Sequence, residues 1–399
     1  MQDEDGDSDG VPKRCLGGGV PGEKITPDST GEWNDWRWQI RNRIRSIDEL
    51  SSSFCHSLPA DASVAAEKFP LAITPYYASL IQKFDKSDPV YAMSVPSGQE
   101  LIQPSFLKDD PLGEDHDSPV HGLVHRYRDR ALIVSTSMCA MYCRHCTRKR
   151  VTGQKEWCHG DNEVSQWVAY LSQHPEIKDV IVSGGDPLTM DTGKLDRLLT
   201  AIRSVDSVET IRIGTRVPVV LPMRVDDELV SMLKKHHPVW INTHFNHPCE
   251  ITPESKKALT MLADAGIPLG NQSVLLRGVN DDPVVMETLC RMLIRMRVRP
   301  YYLFACDLVK GVEHFRTPLS VGLRIMEHLR GRISGMAIPT FVVDLPGGGG
   351  KVPLLPDYVV AGEAGGDGME FRNYRGERYS YPNPYPETKT SVASEKVQS

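Results

Sequence analysis

Between residues 131 and 345 seven short apolar runs alternate with amphipathic stretches, and this rhythm constrains the fold more than any other feature. The runs are ALIVST (131–136), DVIVSG (179–184), TIRIGT (210–215), VWINTHF (239–245), PLGNQSVLL (268–276), PYYLFAC (300–306) and TFVVDL (340–345). They read as buried strands. Between them, NEVSQWVAYLSQ places Val164, Trp167, Val168 and Leu171 on one helical face, and DDELVSMLKKH does the same with Leu229, Met232 and Leu233. Strands alternating with helices imply right-handed βαβ units and a parallel sheet. No G-x-G-x-x-G follows the first run, so a closed or partly closed barrel fits better than a Rossmann sheet. The fold class expected is α/β, a partial (β/α) TIM-type barrel with an N-terminal helical extension and a C-terminal tail.

The flanks set the domain plan. Residues 1–30 are acidic and Gly-rich and read as a disordered arm; 31–120 read as a helical region, 121–345 as the barrel core, and 346–399 as a C-terminal segment and tail. In the second of these, Trp33, Trp36, Ile40, Ile44 and Ile47 fall on one helical stripe that Asn34 or Asp35 can cap. The formal net charge of −6 leaves no nucleic-acid footprint, no run reaches membrane-spanning length, and MQDEDGDSDG has no signal-peptide core. A cytoplasmic protein without nucleic-acid or membrane partners is expected. Nine cysteines, an odd number scattered along 399 residues, do not read as a disulfide framework.

In a barrel of this kind chemistry gathers at the C-terminal ends of the strands. Those ends carry Cys139, Cys143 and Cys146, then SGGDP, THFNH, NQS, CDL, and finally Asp344 with a glycine run. The cysteines are spaced C-x3-C-x2-C. Three soft thiolates can hold three irons of a [4Fe–4S] cluster and leave the fourth open. The bland alternative is a zinc knuckle completed by a distant His. The stretch DLPGGGGKVP suggests a phosphate loop but lacks its anchors: Leu345 stands six residues before Lys351 and Val352 follows it. It reads as a flexible glycine hinge.

C-x3-C-x-(aromatic)-C after the first strand, with His145 in the aromatic slot, is similar to the signature of radical S-adenosylmethionine (SAM) enzymes, and SGGDP resembles their Gly-Gly-acid motif. The stretches DWRWQIRNRI, HGLVHRYRDR, MYCRHCTRKR, THFNHP, GNQSVLLRGVND, CDLVKGVEHFRTP and FVVDLPGGGGKVP together resemble the lysine 2,3-aminomutase family, from about Trp33 into the 370s. The resemblance implies a radical SAM core with Cys139, Cys143 and Cys146 on the cluster. It places His145, Gly184, Gly185, Asp186, His244 and Gln272 around SAM, with Asp186 facing the methionyl amine. It adds pyridoxal phosphate as a second cofactor, held by Lys351, with Arg126, Tyr127 and Arg130 on the phosphate side. Arg148 matches the residue for the substrate carboxylate, and Asp307 and Asp344 match those for its distal ammonium.

The activity so implied is an isomerase that moves the α-amino group of L-lysine to C3, giving β-lysine. An alternative is L-arginine to β-arginine in antibiotic metabolism. An electron donor such as flavodoxin or ferredoxin and a homo-oligomer are further expectations. Rivals are a radical enzyme that does not use pyridoxal, an iron–sulfur electron carrier, and a zinc-binding module. The chain departs from the family pattern at Phe304 and Met336, where an aromatic hydroxyl is common. Asp282 stands where a zinc cysteine is usual and no cysteine follows Cys306, so no zinc site is expected.

Overall fold

The computed structural model describes residues 30–153, 155–362 and 368–383. The arm expected over 1–30, Thr30 excepted, and the end of the tail lie outside the described residues. The described chain divides into a large unit ending at Leu354 and a small one beginning at Leu355.

The large unit is built on one nine-stranded sheet whose order follows the sequence: β1 (Leu123–Tyr127), β2 (Arg130–Val134), β3 (Asp179–Ser183), β4 (Thr210–Gly214), β5 (Val239–Thr243), β6 (Leu269–Leu275), β7 (Val298–Ala305), β8 (Thr340–Leu345) and β9 (Gly350–Pro353). Strands β2 to β8 are the seven apolar runs, and every neighbouring pair among them is parallel. Helices cross between them, among them Asp161–Gln173, Thr192–Arg203, Asp227–Lys234, Pro253–Asp264, Pro283–Arg295 and Leu319–Leu329. The sheet is therefore a curled, partly closed (β/α) barrel.

The strand period of two divides its labour. Val180, Val182, Ile211, Ile213, Val239 and Ile241 are fully buried and join Leu171, Leu195 and Leu198 of the helices in one core. The intervening residues Ile181, Arg212 and Asn242 instead line an internal cavity. The outer layer thus holds the fold together while the inner face is left for a ligand.

HRYRDR is an antiparallel hairpin in which Tyr127 pairs with Arg130, so β1 caps one edge of the sheet. Two local expectations change. The glycine run is not an open hinge. It closes a second hairpin, β8–β9, in which Asp344 pairs with Lys351 and Leu345 with Gly350. Gly347, Gly348 and Gly350 take φ of 69°, 85° and 84°, a left-handed turn that side chains with a Cβ resist. The Trp33–Ile47 stripe is not one helix. Asp35 accepts from the Arg37 backbone N–H and starts a helix at Trp36–Arg41, while Ile44 bridges to Ile73 instead. Capping and a long-range bridge outweigh the helical period there.

In the small unit Val359–Ala361, Gly368–Arg372 and Arg378–Pro382 form an antiparallel three-stranded sheet. Among the described residues no helix is long and apolar enough to cross a membrane.

Candidate active site

The inner face of the sheet encloses a cavity of about 400 Å³. Every site residue singled out in the sequence lines it: Cys139, Cys143, Cys146, His145, Gly184, Gly185, Asp186, His244, Gln272, Arg148, Asp307, Asp344, Lys351, Arg126, Tyr127 and Arg130. The cavity is deeper than a site confined to strand ends. Ala131, Leu132, Ile181 and Arg212 reach it from within the strands.

At one end lies the cysteine loop, which follows β2. It is fastened to the loop after β3 by backbone bonds from Gly185 N to Thr136 O and from Asp186 N to Met138 O (2.7 Å). Only glycine fits at that seam. Gly184 has φ 138°, and a Cβ on Gly185 would collide with the Met138 carbonyl oxygen. Arg43 donates to the Cys139 carbonyl and pairs with Glu156 at 2.8 Å, anchoring the loop from behind.

Asp186 does not present a free carboxylate. Its Oδ1 accepts from Thr215 Oγ1 (2.6 Å) and Leu188 N (3.1 Å), and its Oδ2 from Arg216 N (2.7 Å) and Val217 N (3.1 Å). Burial nevertheless pushes it up to about 6. It therefore ties the β3 and β4 loops together while still lining the cavity. His145 and His244 lie with ring centroids 5.4 Å apart. Burial, with Arg216 nearby, drives His145 well below the ordinary imidazole value and His244 down to about 3, so both are neutral. His145 Nδ1 and His244 Nε2 are buried without a partner.

The other polar residues of the cavity are held in pairs. Arg148 lays the Nε–Nη2 edge of its fork on Glu114 (3.0 and 2.6 Å) and reaches Ser183 Oγ with Nη1 (3.2 Å). Although burial opposes ionisation, Arg148 and Arg150 hold Glu114 down at about 2. Asp307 accepts from Thr147 Oγ1 at 2.6 Å and is pushed up to about 6, by burial first and by the neighbouring Asp344 carboxylate. Lys351 Nζ donates to both Asp344 oxygens at 2.8 and 2.9 Å and lies 5.2 Å from the Phe304 ring centroid. Its backbone N–H donates to Tyr127 Oη at 3.0 Å, which joins the two edge strands of the sheet. Arg126 is fixed by Asp117 (2.7 Å), and Arg130 stacks over Tyr127 at 5.0 Å.

A sequence model described as the radical SAM superfamily matches residues 133–287, and one described as lysine-2,3-aminomutase matches 326–398. The L-lysine 2,3-aminomutase of Methanococcus maripaludis is 52% identical over 368 residues, covering 91% of this chain and 84% of that protein. The chain belongs to the lysine 2,3-aminomutase family. The L-lysine 2,3-aminomutase of Clostridium subterminale is 50% identical, over 89% of this chain and 86% of that one. A glutamate 2,3-aminomutase of Clostridioides difficile is 45% identical, over 87% and 82%. As a member of the lysine 2,3-aminomutase family the chain is an isomerase. As a radical SAM enzyme it works with a [4Fe–4S] cluster and SAM, on a small-molecule substrate and with a reductant.

The residues present suit those two groups. Cys139, Cys143 and Cys146 border one cavity. Three soft thiolates on one wall suit three irons of a cluster. The orphaned nitrogens of His145 and His244 are what a nucleoside could satisfy. Sequence reasoning missed Glu114, Thr147, Thr215 and Arg216. Each is an ordinary polar residue whose partner is remote in sequence, so no local pattern marks it.

Proposed function

We propose that this enzyme is a 2,3-aminomutase for L-lysine that uses pyridoxal phosphate beside its cluster and SAM. The observation that carries the reading is the pairing within one cavity of a carboxylate receptor, Arg148, with two carboxylates, Asp307 and Asp344. An amino acid with a distal ammonium matches both. Asp344 already binds a primary ammonium, that of Lys351, with both oxygens. A glutamate side chain would meet two like charges there. The relatives' names carry lysine or glutamate, so arginine gains no support from them.

The donor set also suits pyridoxal phosphate. Arg126 and Arg130 offer guanidinium forks for a phosphate dianion, and Tyr127 ties that wall to the strand bearing Lys351. When bound, SAM with the cluster supplies hydrogen-abstracting radical chemistry, and pyridoxal phosphate supplies the electron sink through which an amino group can migrate. The chain's own residues bind and orient. Lys351 would offer its amine to the cofactor aldehyde, and leaving Asp344 for that purpose frees the carboxylate for substrate. Arg148, steadied by Glu114, would hold the α-carboxylate. Asp307, steadied by Thr147, and Asp344 would hold the far ammonium. Gripped at both ends, the substrate chain presents C3 in one place. Flavodoxin or ferredoxin is the proposed reductant.

The test is anaerobic turnover of the reconstituted enzyme with L-lysine, L-arginine and L-glutamate in parallel. β-Lysine as the dominant product is expected. A β-amino product from glutamate or arginine instead, or none from any of the three, overturns the reading.

A further inference from the structure

Arg216 is absent from the roles assigned so far, yet it has the closest contact that any cation makes with a cysteine sulfur among the bonds described. Its Nη1 donates to Cys143 Sγ at 2.8 Å. The side chain is 7% exposed. Its Nη2 is bonded to Glu250 Oε1 (2.7 Å), Tyr77 Oη (3.3 Å) and Met93 Sδ (3.5 Å). Glu250 is fully buried, and its oxygens also accept from Tyr77 Oη (2.8 Å), Asn246 N (2.6 Å) and His247 N (2.9 Å). Asp186 fixes the Arg216 backbone, so the Gly-Gly-acid loop sets where the guanidinium stands.

A buried Arg–Glu pair of this kind is a poor device for stability alone. Desolvating both ions costs as much as, or more than, their attraction returns, and apolar replacements are often neutral or better. Arg216 Nε is also buried without a partner, a further penalty. Such an arrangement is explained if the positive charge is needed where it is.

We propose that Arg216 is a positioning and tuning residue for the iron–sulfur cluster. Its guanidinium donates a hydrogen bond to the Cys143 sulfur and places a fixed, buried cation beside the cluster. Reduction adds one electron, and so one negative charge, to the cluster. A neighbouring cation stabilises the reduced form more than the oxidised form, and the low local dielectric magnifies the difference. Glu250 prevents the guanidinium from swinging away, while its own charge is spread over three further donors. The inference rests on the assignment of Cys139, Cys143 and Cys146 to the cluster.

The test uses the full-length chain reconstituted anaerobically with iron and sulfide, without substrate or pyridoxal phosphate. Arg216→Met removes both charge and hydrogen bond, Arg216→Gln keeps a donor, and Arg216→Lys keeps the charge. Iron and sulfide content establishes assembly, and a redox titration followed by the electron-paramagnetic signal of the reduced cluster gives the poise. At the potential where the wild type is half reduced, the ratio of reduced to oxidised cluster should fall at least about tenfold in Arg216→Met, a shift of about 59 mV for one electron. Arg216→Gln should fall between, and Arg216→Lys should stay within about threefold of wild type. If Arg216→Met does not assemble a cluster, Arg216→Gln decides by the same direction of shift. A ratio within twofold of wild type in an assembled Met or Gln variant overturns the proposal, as does an unchanged ratio with weakened SAM binding. A wild-type chain that assembles no [4Fe–4S] cluster would instead refute the cluster assignment itself.

Discussion

Replacing Asp307 with Asn removes one negative charge from the substrate cavity while keeping its shape, and Thr147 Oγ1 can still donate to the amide oxygen. Burial holds this carboxyl near 6, against an ordinary value of 3.8. That displacement corresponds to at most about 3 kcal/mol against the ionised form in the folded chain. The sign follows from linkage: the unfolded chain loses its proton near 3.8 and the folded chain only near 6. Stability therefore falls as pH rises between these values, the full penalty is present above about 6, and none remains below 3.8. Asn carries no such penalty. Asp307→Asn should unfold at higher urea than wild type at pH 8, and the gain should shrink towards zero as pH approaches 4. Function should move the other way. A charge-assisted hydrogen bond contributes about 1.5–3 kcal/mol, so KM for L-lysine should rise about 10- to 150-fold, towards the lower figure while Asp344 remains. Urea melts of the cofactor-free chain at several pH values, with steady-state KM on the loaded enzyme, read both effects. A variant less stable than wild type at pH 8, or a KM within about threefold, would refute the charge-based account.

Lys351→Ala should abolish the visible absorbance of bound pyridoxal phosphate while iron and sulfide content stay at wild-type levels; absorbance that survives would move the attachment point elsewhere. Glu114→Gln weakens the bidentate hold on Arg148, so KM for L-lysine should rise about tenfold with cluster content and SAM binding unchanged, as expected for a lost charged hydrogen bond. Equal KM in that variant would show that Arg148 needs no such support. Gly185→Ala drives a methyl group into the Met138 carbonyl oxygen, a backbone atom that cannot rotate aside. The seam should open, with a loss of about 1–3 kcal/mol in denaturant melts and of SAM binding by calorimetry.

How far the sequence could be read depended on whether a feature is local. The seven parallel strands were legible because each is a short apolar run bounded by polar turns, and the helices because their apolar positions repeat at helical spacing. The cysteine triad stood out by its C-x3-C-x2-C spacing, whereas Lys351 was singled out only by the family resemblance. The hairpin of Tyr127 and Arg130 was hidden by its charged residues, which β1 tolerates because it is an edge strand of the sheet. The Trp33–Ile47 stripe misled because its period is helical while Asp35 and the Ile44–Ile73 bridge impose other geometry.

The chain by itself therefore determined the strands of the barrel and the family to which the chain belongs. Only the tertiary structure decided how the site residues are held. Asp186 is a clasp between loops because its four donors come from residues 188 and 215–217, partly across the next strand. Arg216 meets Cys143 across 73 positions, Arg148 meets Glu114 across 34, and Asp307 meets Thr147 across 160. Such pairs leave no periodic trace, because contacts between distant residues are set by the curl of the sheet and not by any local preference of the backbone. The DLPGGGGK stretch is the instructive case. The family resemblance singled out its lysine, but only the β8–β9 register placed that lysine opposite Asp344, in the carboxylate pocket proposed for the substrate's ammonium.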